Sequence, residues 1–168
     1  DQAGVNNFFQ KNNIKVVYNC AAKVGGILGN QNFPADFIID NLSIQNNILN
    51  ACIQNNISKY IFLGSCCIYP KFCEQPMQEK HLLSGELEPT NEPYAVAKIA
   101  GIISCQAAYK QYGLKSVCPM PINLYGTGDN LHPENSHIIP GLMRRIHFAK
   151  QNNSSVCTVW GSGKVLRE

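Results

Sequence analysis

The sequence predicts an α/β fold with a doubly wound parallel sheet, and two observations support this. Three short apolar runs are typical of buried strands: "KVVYNCAA" (15–22), "KYIFLGS" (59–65) and "SVCPMPINLYG" (116–126). Between them lie two longer segments, 36–56 and 91–113, whose apolar residues recur at helical spacing. Strands that alternate with helices indicate consecutive βαβ units, in which the strands run parallel.

The first of these helical segments, 36–56, places Ile44, Ile48 and Cys52 on one face. We expect the chain to enter the fold at the end of a helix that includes residues 5–10. Pro34 is expected to interrupt the loop between the first strand and the segment 36–56.

The second helical segment has clear start and stop signals. Thr90 or Asn91 can cap its first turn, Pro93 is tolerated there, and Gly113 ends the helix. A long loop rich in proline precedes it. The third strand follows and is expected to lead into a glycine turn at Gly126.

The composition of the chain argues against several classes of function. The chain has 168 residues, a net charge of +3, and lysines scattered along its length. This pattern predicts one globular unit without a nucleic-acid stripe, and the apolar runs are too short to cross a membrane. Eight cysteines are present without a Cys-x-x-Cys pair, so we expect no metal site and a cytoplasmic protein with reduced thiols.

The stretch "NEPYAVAKIAG" contains the first catalytic candidates. Tyr94 and Lys98 are four residues apart, so on a helix they share one face. Ser65 ends the second strand, where ligands bind in such sheets. We expect the Lys98 ammonium to lower the pKa of Tyr94. We expect Ser65 to hold a substrate carbonyl, so that a proton can be transferred together with a hydride. An amphipathic helix with no catalytic role is the alternative.

Six stretches then occur in an order that resembles the extended short-chain dehydrogenase/reductases, and most closely the GDP-L-fucose synthase family. They are "NCAAKVGGI", "FLGSCCIYPK", "EPTNEPYAVAKIAGI", "INLYG", "DNLHPENSHIIPGLMRR" and "VWGSGKVLRE". The resemblance covers nearly the whole chain. It implies a Rossmann-like domain that uses NADP(H), and a GDP-sugar as substrate.

The implied activity is the NADPH-dependent 3,5-epimerisation and 4-reduction of GDP-4-keto-6-deoxy-D-mannose to GDP-L-fucose. By motif position, Tyr94 would donate the proton in reduction, Lys98 would bind the nicotinamide ribose, and Ser65 would orient the keto group. Cys67 would be the base in epimerisation and His137 its acid partner. A buried structural thiol and an ordinary loop histidine are the alternatives for Cys67 and His137.

The resemblance also implies which residues bind ligands. The cofactor would be lined by Leu63, Gly64, Ser65, Cys66, Lys98, Pro121, Ile122, Asn123, Leu124 and His137. The GDP portion of the substrate would be held by Arg145, Trp160 and Arg167. For Arg145 and Trp160, a solvated helix face and simple packing are the alternatives.

Parts of the family pattern are missing or altered. "GGILG" (25–29) lacks the Gly-x-Gly-x-x-Gly spacing of a dinucleotide fingerprint, so the phosphate loop is expected to precede this chain. We therefore predict a fragment that lacks both ends. Residues 1–126 would form part of the NADP-binding domain and 127–168 the start of a substrate-binding region. Cys66 stands where the family usually has serine.

Two other functions remain open, as does the assembly. The chain could belong to another sugar-nucleotide epimerase or dehydratase, or to an inactive protein that only binds nucleotides. We also expect a homodimer through helices 36–56 and 94–112, because both carry more apolar positions than one sheet-facing stripe needs.

Overall fold

The computed structural model describes residues 1–159 and 161–162. Five helices and three strands follow one another along this part of the chain, with short 3₁₀ turns at Cys66–Ile68 and Glu79–His81. In chain order they are α1 (Gln2–Lys11), β1 (Val16–Asn19), α2 (Ile27–Asn32), α3 (Pro34–Gln54), β2 (Lys59–Phe62), α4 (Glu92–Tyr112), β3 (Ser116–Val117) and α5 (Ile138–Gln151).

The three strands form one parallel sheet in the order β1-β2-β3, as the alternation of strands and helices predicted. Val17 lies opposite Tyr60 in the register, and Asn19 lies opposite Phe62. Ser116 pairs with Tyr60 from the other side. The carboxyl ends of all three strands therefore lie at the same edge of the sheet.

The predicted strands are longer than the observed ones, most of all at the third. The prediction of a strand over 116–126 was wrong, because β3 ends at Val117. Pro119 and Pro121 have no N–H to donate to a sheet ladder, so the chain leaves the sheet there. At β2 the ladder stops at Phe62, and 63–65 form a loop at the sheet edge.

The helix boundaries agree better with prediction. Pro34 does not lie in a loop: it opens α3, where a missing N–H costs nothing, and the short α2 precedes it. Asn91 is the residue before α4, and Gly113 ends α4 in the left-handed conformation at φ 73°. The helix expected around residues 5–10 is α1.

One face of the sheet is covered by α3 and α4. Tyr60 and Phe62 are almost fully buried there. A Cβ on Gly101 of α4 would overlap the Phe62 ring and lie 2.8 Å from Oε1 of Gln45 on α3. Gln45 also donates from Nε2 to the Ala97 carbonyl at 2.8 Å. The absence of a side chain at Gly101 thus allows both helices and the sheet to meet at one point.

The opposite face of the sheet is apolar and exposed. It carries Val16, Tyr18 and Val117, and 71% of Tyr18 is accessible. None of the eight cysteines forms a disulfide. Within residues 1–159 and 161–162, no helix has both the length and the apolar character that a membrane span requires.

We predict that Gly101→Ala destabilises the chain. Alanine favours a helix over glycine by about 0.5–1 kcal/mol, but overpacking a core costs about 1–3 kcal/mol. Because Phe62 and Gln45 fill the space, packing dominates, and the free energy of unfolding should fall by about 1–2 kcal/mol. Urea unfolding measures it.

Phe62→Leu provides the control, because it removes the ring atom that the new methyl group meets. In the Phe62→Leu background, Gly101→Ala should cost clearly less. An equal cost in both backgrounds would mean that the Phe62 contact is not responsible.

Candidate active site

The site lies at the carboxyl end of β2. Ser65 precedes the 3₁₀ turn Cys66–Ile68 in an extended conformation, and its Oγ accepts the backbone N–H of Cys67 at 3.2 Å. This cap holds the Cys67 side chain beside the Ser65 hydroxyl. The turn places three polar side chains, Ser65, Cys66 and Cys67, immediately after a buried strand.

Lys98 connects α4 to this sheet edge. Its Nζ donates to the Leu63 carbonyl at 2.8 Å and lies over the Phe62 ring, 4.9 Å from the centroid. The same Nζ is 5.8 Å from the centroid of the Tyr94 ring. Only 4% of Lys98 is accessible, and burial lowers its pKa. The bond to Leu63 keeps the first two turns of α4 over the end of β2.

Ser65 lies between the two halves of the site, because its side chain lowers the pKa of both Cys67 and Tyr94. A hydroxyl has one proton to donate and two lone pairs that accept. When the proton goes to the Cys67 thiolate, the lone pairs can accept the Cys67 N–H and the Tyr94 O–H. A base and a phenol are thus linked through one serine.

Hydrogen bonds favour the charged form of Cys67. The bond from Cys66 is the largest influence, and together with bonds from Ser65 and Asn91 and the nearby His137 it lowers the pKa of Cys67 to about 6, although burial opposes this. Cys67 is therefore mainly a thiolate at neutral pH, and a thiolate can take a proton from carbon.

The expectation that the pKa of Tyr94 is lowered was wrong. Burial, followed by the charge of Cys67, raises the pKa of Tyr94 to about 12. Lys98 does not offset this, since its Nζ is directed at the Leu63 carbonyl. Tyr94 is accordingly a neutral phenol, which suits a proton donor. Its ring also packs edge-on against Phe37 of α3, with centroids 6.5 Å apart.

His137 reaches the site from the start of α5. It is the exposed residue before that helix, and its interaction with Cys67 helps to stabilise the thiolate. The preceding residues rest on the loop after β1: Gly26 donates its N–H to Asn135 at 3.2 Å, and a Cβ on Gly26 would lie 2.9 Å from the Ser136 carbonyl oxygen. The stretch "GGILG" thus supports the His137 segment.

Asn91 is a site residue that the sequence did not reveal. It was predicted only as a helix cap, but its side chain makes no capping bond to α4. Instead the Asn91 side chain is among the groups that lower the pKa of Cys67, and its Oδ1 is buried without a hydrogen-bond partner. The only sequence signal was its place three residues before Tyr94. Oδ1 is left able to accept from a hydroxyl group.

The predicted cofactor residues lie along the same edge. Leu63, Gly64, Ser65 and Cys66 follow β2, and Gly64 is buried with its N–H bonded to the Pro119 carbonyl at 2.9 Å. Beyond it, Pro121, Ile122, Asn123 and Leu124 form a mostly exposed segment. Among the described residues, one protein oxygen accepts from Lys98 Nζ, which has three donors, so two of its donors remain for another acceptor.

The predicted substrate residues are only partly described. Arg145 lies on α5 and borders an open cavity of about 480 Å³ between that helix and residues 152–158. Its neighbour Arg144 stacks on Phe148, 4.7 Å from the ring centroid. Trp160 and Arg167, the other two predicted contacts, lie outside the described residues.

Comparison with known proteins establishes the family. The model for "NAD dependent epimerase/dehydratase family" matches residues 1–168. The chain belongs to this family. Its Rossmann-like α/β fold is that of the family's extended short-chain members, which confirms the predicted fold class.

Individual relatives are also similar. "GDP-L-fucose synthase" of Escherichia coli (strain K12) is 54% identical over 168 residues, which are 100% of this chain and 52% of that protein. The chain thus spans about half the length of the curated relatives it matches. A GDP-L-fucose synthetase from Naegleria fowleri, solved bound to NADP, has a TM-score of 0.87 at 34% identity over 99% of this chain and 55% of its own.

A third relative has a different activity in its name. A GDP-6-OMe-4-keto-L-xylo-heptose reductase from C. jejuni has a TM-score of 0.86 at 35% identity, over 92% of this chain and 44% of its own.

We predict that alkylation of Cys67 by iodoacetamide is half-maximal near pH 6, because the pKa of Cys67 is lowered to about 6 and only the thiolate reacts. The rate should rise as pH increases through 6 and level off above it. Peptide mapping by mass spectrometry follows the rate at each pH.

Cys66→Ala should move this midpoint upward and slow alkylation several-fold at pH 6, since the largest influence on the thiolate is removed. Cys66→Ser, which keeps a donor, is the matched control and should shift the midpoint less. The same midpoint in all three proteins would contradict the assignment of the pKa shift to Cys66.

Proposed function

We propose that the protein containing this chain carries out NADPH-dependent 3,5-epimerisation and 4-reduction of GDP-4-keto-6-deoxy-D-mannose to GDP-L-fucose, in the cytoplasm. Residues 1–126 supply part of the NADP-binding domain, and 127–168 begin the substrate-binding region. The proposal is carried by the placement of Cys67, whose pKa is lowered to about 6, beside Ser65 and Tyr94 at the end of β2. The 54% identity to the E. coli enzyme supports it.

Epimerisation requires a base and an acid. Protons at C3 and C5 are acidic because they lie next to the C4 ketone, so the charge left after their removal spreads onto the keto oxygen. Cys67 removes the proton, and His137 returns one to the opposite face of the ring. Hydrogen bonds from Ser65 and Tyr94 to the keto oxygen stabilise the charge that develops there.

Reduction uses the same hydrogen bonds. NADPH would supply the hydride for C4 when bound at this edge, and Tyr94 gives its phenolic proton to the oxygen. Lys98 holds the ribose of the cofactor with the donors that the Leu63 carbonyl does not use. Arg145 binds the phosphates of GDP beside the cavity at the end of α5.

A second candidate is reduction of a GDP-keto sugar without epimerisation. The similarity to the C. jejuni reductase favours it, whereas the thiolate at Cys67 favours epimerisation. Exchange of substrate protons with solvent distinguishes the two activities, because a reductase does not need to break bonds from carbon to hydrogen at C3 or C5.

We predict that Cys67→Ser and His137→Asn, made in the full-length protein, lose most proton exchange but keep most hydride transfer. In D₂O, uptake of deuterium at C3 and C5 should fall by about 10²-fold or more, as is typical for loss of an acid or base. NMR measures the uptake, and NADPH absorbance follows reduction of substrate that is already epimerised. Unchanged uptake in both variants would make Cys67 and His137 structural residues.

Tyr94→Phe should have the opposite effect. It removes the donated proton but keeps the ring that packs on Phe37, so NADPH oxidation should fall by about 10²–10⁴-fold while binding of the GDP-sugar changes little. Turnover and calorimetric binding are measured on the same full-length preparation. Near-normal turnover would contradict the role given to Tyr94.

We further propose that two copies pair through α3 and α4. Ile39, Val96 and Ile103 are apolar and 40–60% accessible on these helices, outside their mutual contact. Light scattering of the full-length protein should give the mass of a dimer at micromolar concentration, and Ile103→Glu should shift it to a monomer. Gln106→Glu, on the same helix, is the control. A monomeric unaltered protein would exclude the dimer.

A further inference from the structure

A second thiol lies outside the candidate active site, in the loop 69–90 that leads from the 3₁₀ turn to α4. Two contacts close the base of this loop. Lys71 forms an ion pair with Glu88, with Nζ and Oε2 3.0 Å apart, and the Lys71 N–H donates to the Glu86 carbonyl at 2.9 Å. Cys73 follows directly after this closed base.

Cys73 is paired with a histidine of defined tautomer. Its Sγ lies 3.3 Å from Nδ1 of His81. The backbone N–H of Gln78 donates to the same Nδ1 at 3.2 Å, as part of the cap of the turn Glu79–His81. A nitrogen that accepts from an amide carries no proton, so Nδ1 is the basic nitrogen of His81. The Cys73 Sγ therefore lies within hydrogen-bond distance of a basic nitrogen.

The pair opens into a cavity of about 370 Å³. Two carboxylate side chains, Glu74 and Glu86, line it together with Cys73 and His81. The Lys71 ammonium pairs with Glu88 and also lies 5.8 Å from the centroid of the Phe72 ring. Phe72 at the rim is 90% accessible. The thiol is thus reachable by a small molecule, and the walls around it carry negative charge.

Metal binding does not explain the cluster. Within the described residues, no group of three or more His, Cys, Asp and Glu side chains is arranged to hold a metal ion. A thiol beside a basic imidazole is instead the arrangement that makes a cysteine nucleophilic.

We propose that Cys73 and His81 form a thiol-modification site that reacts with small cationic disulfides. The Sγ proton passes to Nδ1 of His81, and the thiolate attacks one sulfur of the disulfide. A bond forms between that sulfur and Cys73, the original S–S bond breaks, and the released thiolate takes the proton back from His81. No oxidant besides the disulfide is needed.

The cationic preference follows from Glu74 and Glu86. Their charges attract an ammonium group on the reagent and repel a carboxylate, and this effect is largest at low salt. Proton transfer to His81 also breaks its bond with the Gln78 N–H, so the charged pair is short-lived and reaction requires a disulfide that is already in the cavity.

The experiment treats the full-length protein at low salt with three disulfides that differ in charge: cystamine (cationic), hydroxyethyl disulfide (neutral) and glutathione disulfide (anionic). Mass spectrometry of peptides gives the initial rate at each cysteine, with the exposed Cys20 as internal reference. We expect Cys73 to react at least about fivefold faster than Cys20 with cystamine. The rate should decrease in the order cationic, neutral, anionic.

Variants test the base and the negative charge of the cavity separately. His81→Gln keeps an acceptor for the Gln78 N–H but removes the base, and should reduce the rate at Cys73 to that of Cys20. His132→Gln is the matched control, because His132 Nδ1 also accepts backbone N–H groups. Glu74→Gln with Glu86→Gln should abolish the charge order but keep the reaction.

Three results would overturn the proposal: a rate at Cys73 no greater than at Cys20, an unchanged rate in His81→Gln, or a preference for the anionic disulfide. The order of the three reagents is measured on the unaltered chain, so it remains decisive even if a variant does not fold.

Discussion

The hydrogen bond from Lys98 to the Leu63 carbonyl is the constraint on which the rest of the site depends. It joins the second turn of the packed helix α4 to the end of the central strand, with the donor and acceptor 2.8 Å apart. Burying an ammonium is costly unless it is well paired, so this contact and the two aromatic rings beside Lys98 must form together. Tyr94, one turn earlier, is thereby placed next to Ser65.

Packing further along α4 makes that contact possible. Gly101 lets the helix approach Phe62 of the sheet and Gln45 of α3, and the Gln45 amide is satisfied by the Ala97 carbonyl. The loop after β1 is tied to α3 in turn, because Asn41 exchanges two hydrogen bonds of 3.0 Å with the backbone of Lys23. This loop supports the segment before His137. The close contact between α3 and α4 thus helps to position the turn after β2, the loop after β1 and the segment before His137.

Electrostatics then divides the site into an acid and a base. Hydrogen bonds from Cys66, Ser65 and Asn91 hold Cys67 as a thiolate, and that charge, together with burial, keeps Tyr94 a neutral phenol. One charged group and one neutral group linked by a serine can take a proton from carbon and give a proton to oxygen. The Cys73–His81 pair lacks such a set of donors around its sulfur, which is why its proposed reaction relies on a base instead.

The sequence by itself determined the order of strands and helices, the parallel sheet, and the shared face of Tyr94 and Lys98, because these follow from local periodicity and short connections. It also indicated Ser65, Cys67 and His137, through their resemblance to family motifs. Only the tertiary structure decided the direction of the Tyr94 pKa, the length of β3, and the part that Asn91 takes beside Cys67. Each of these depends on burial and on partners distant along the chain, which no local pattern of residues encodes.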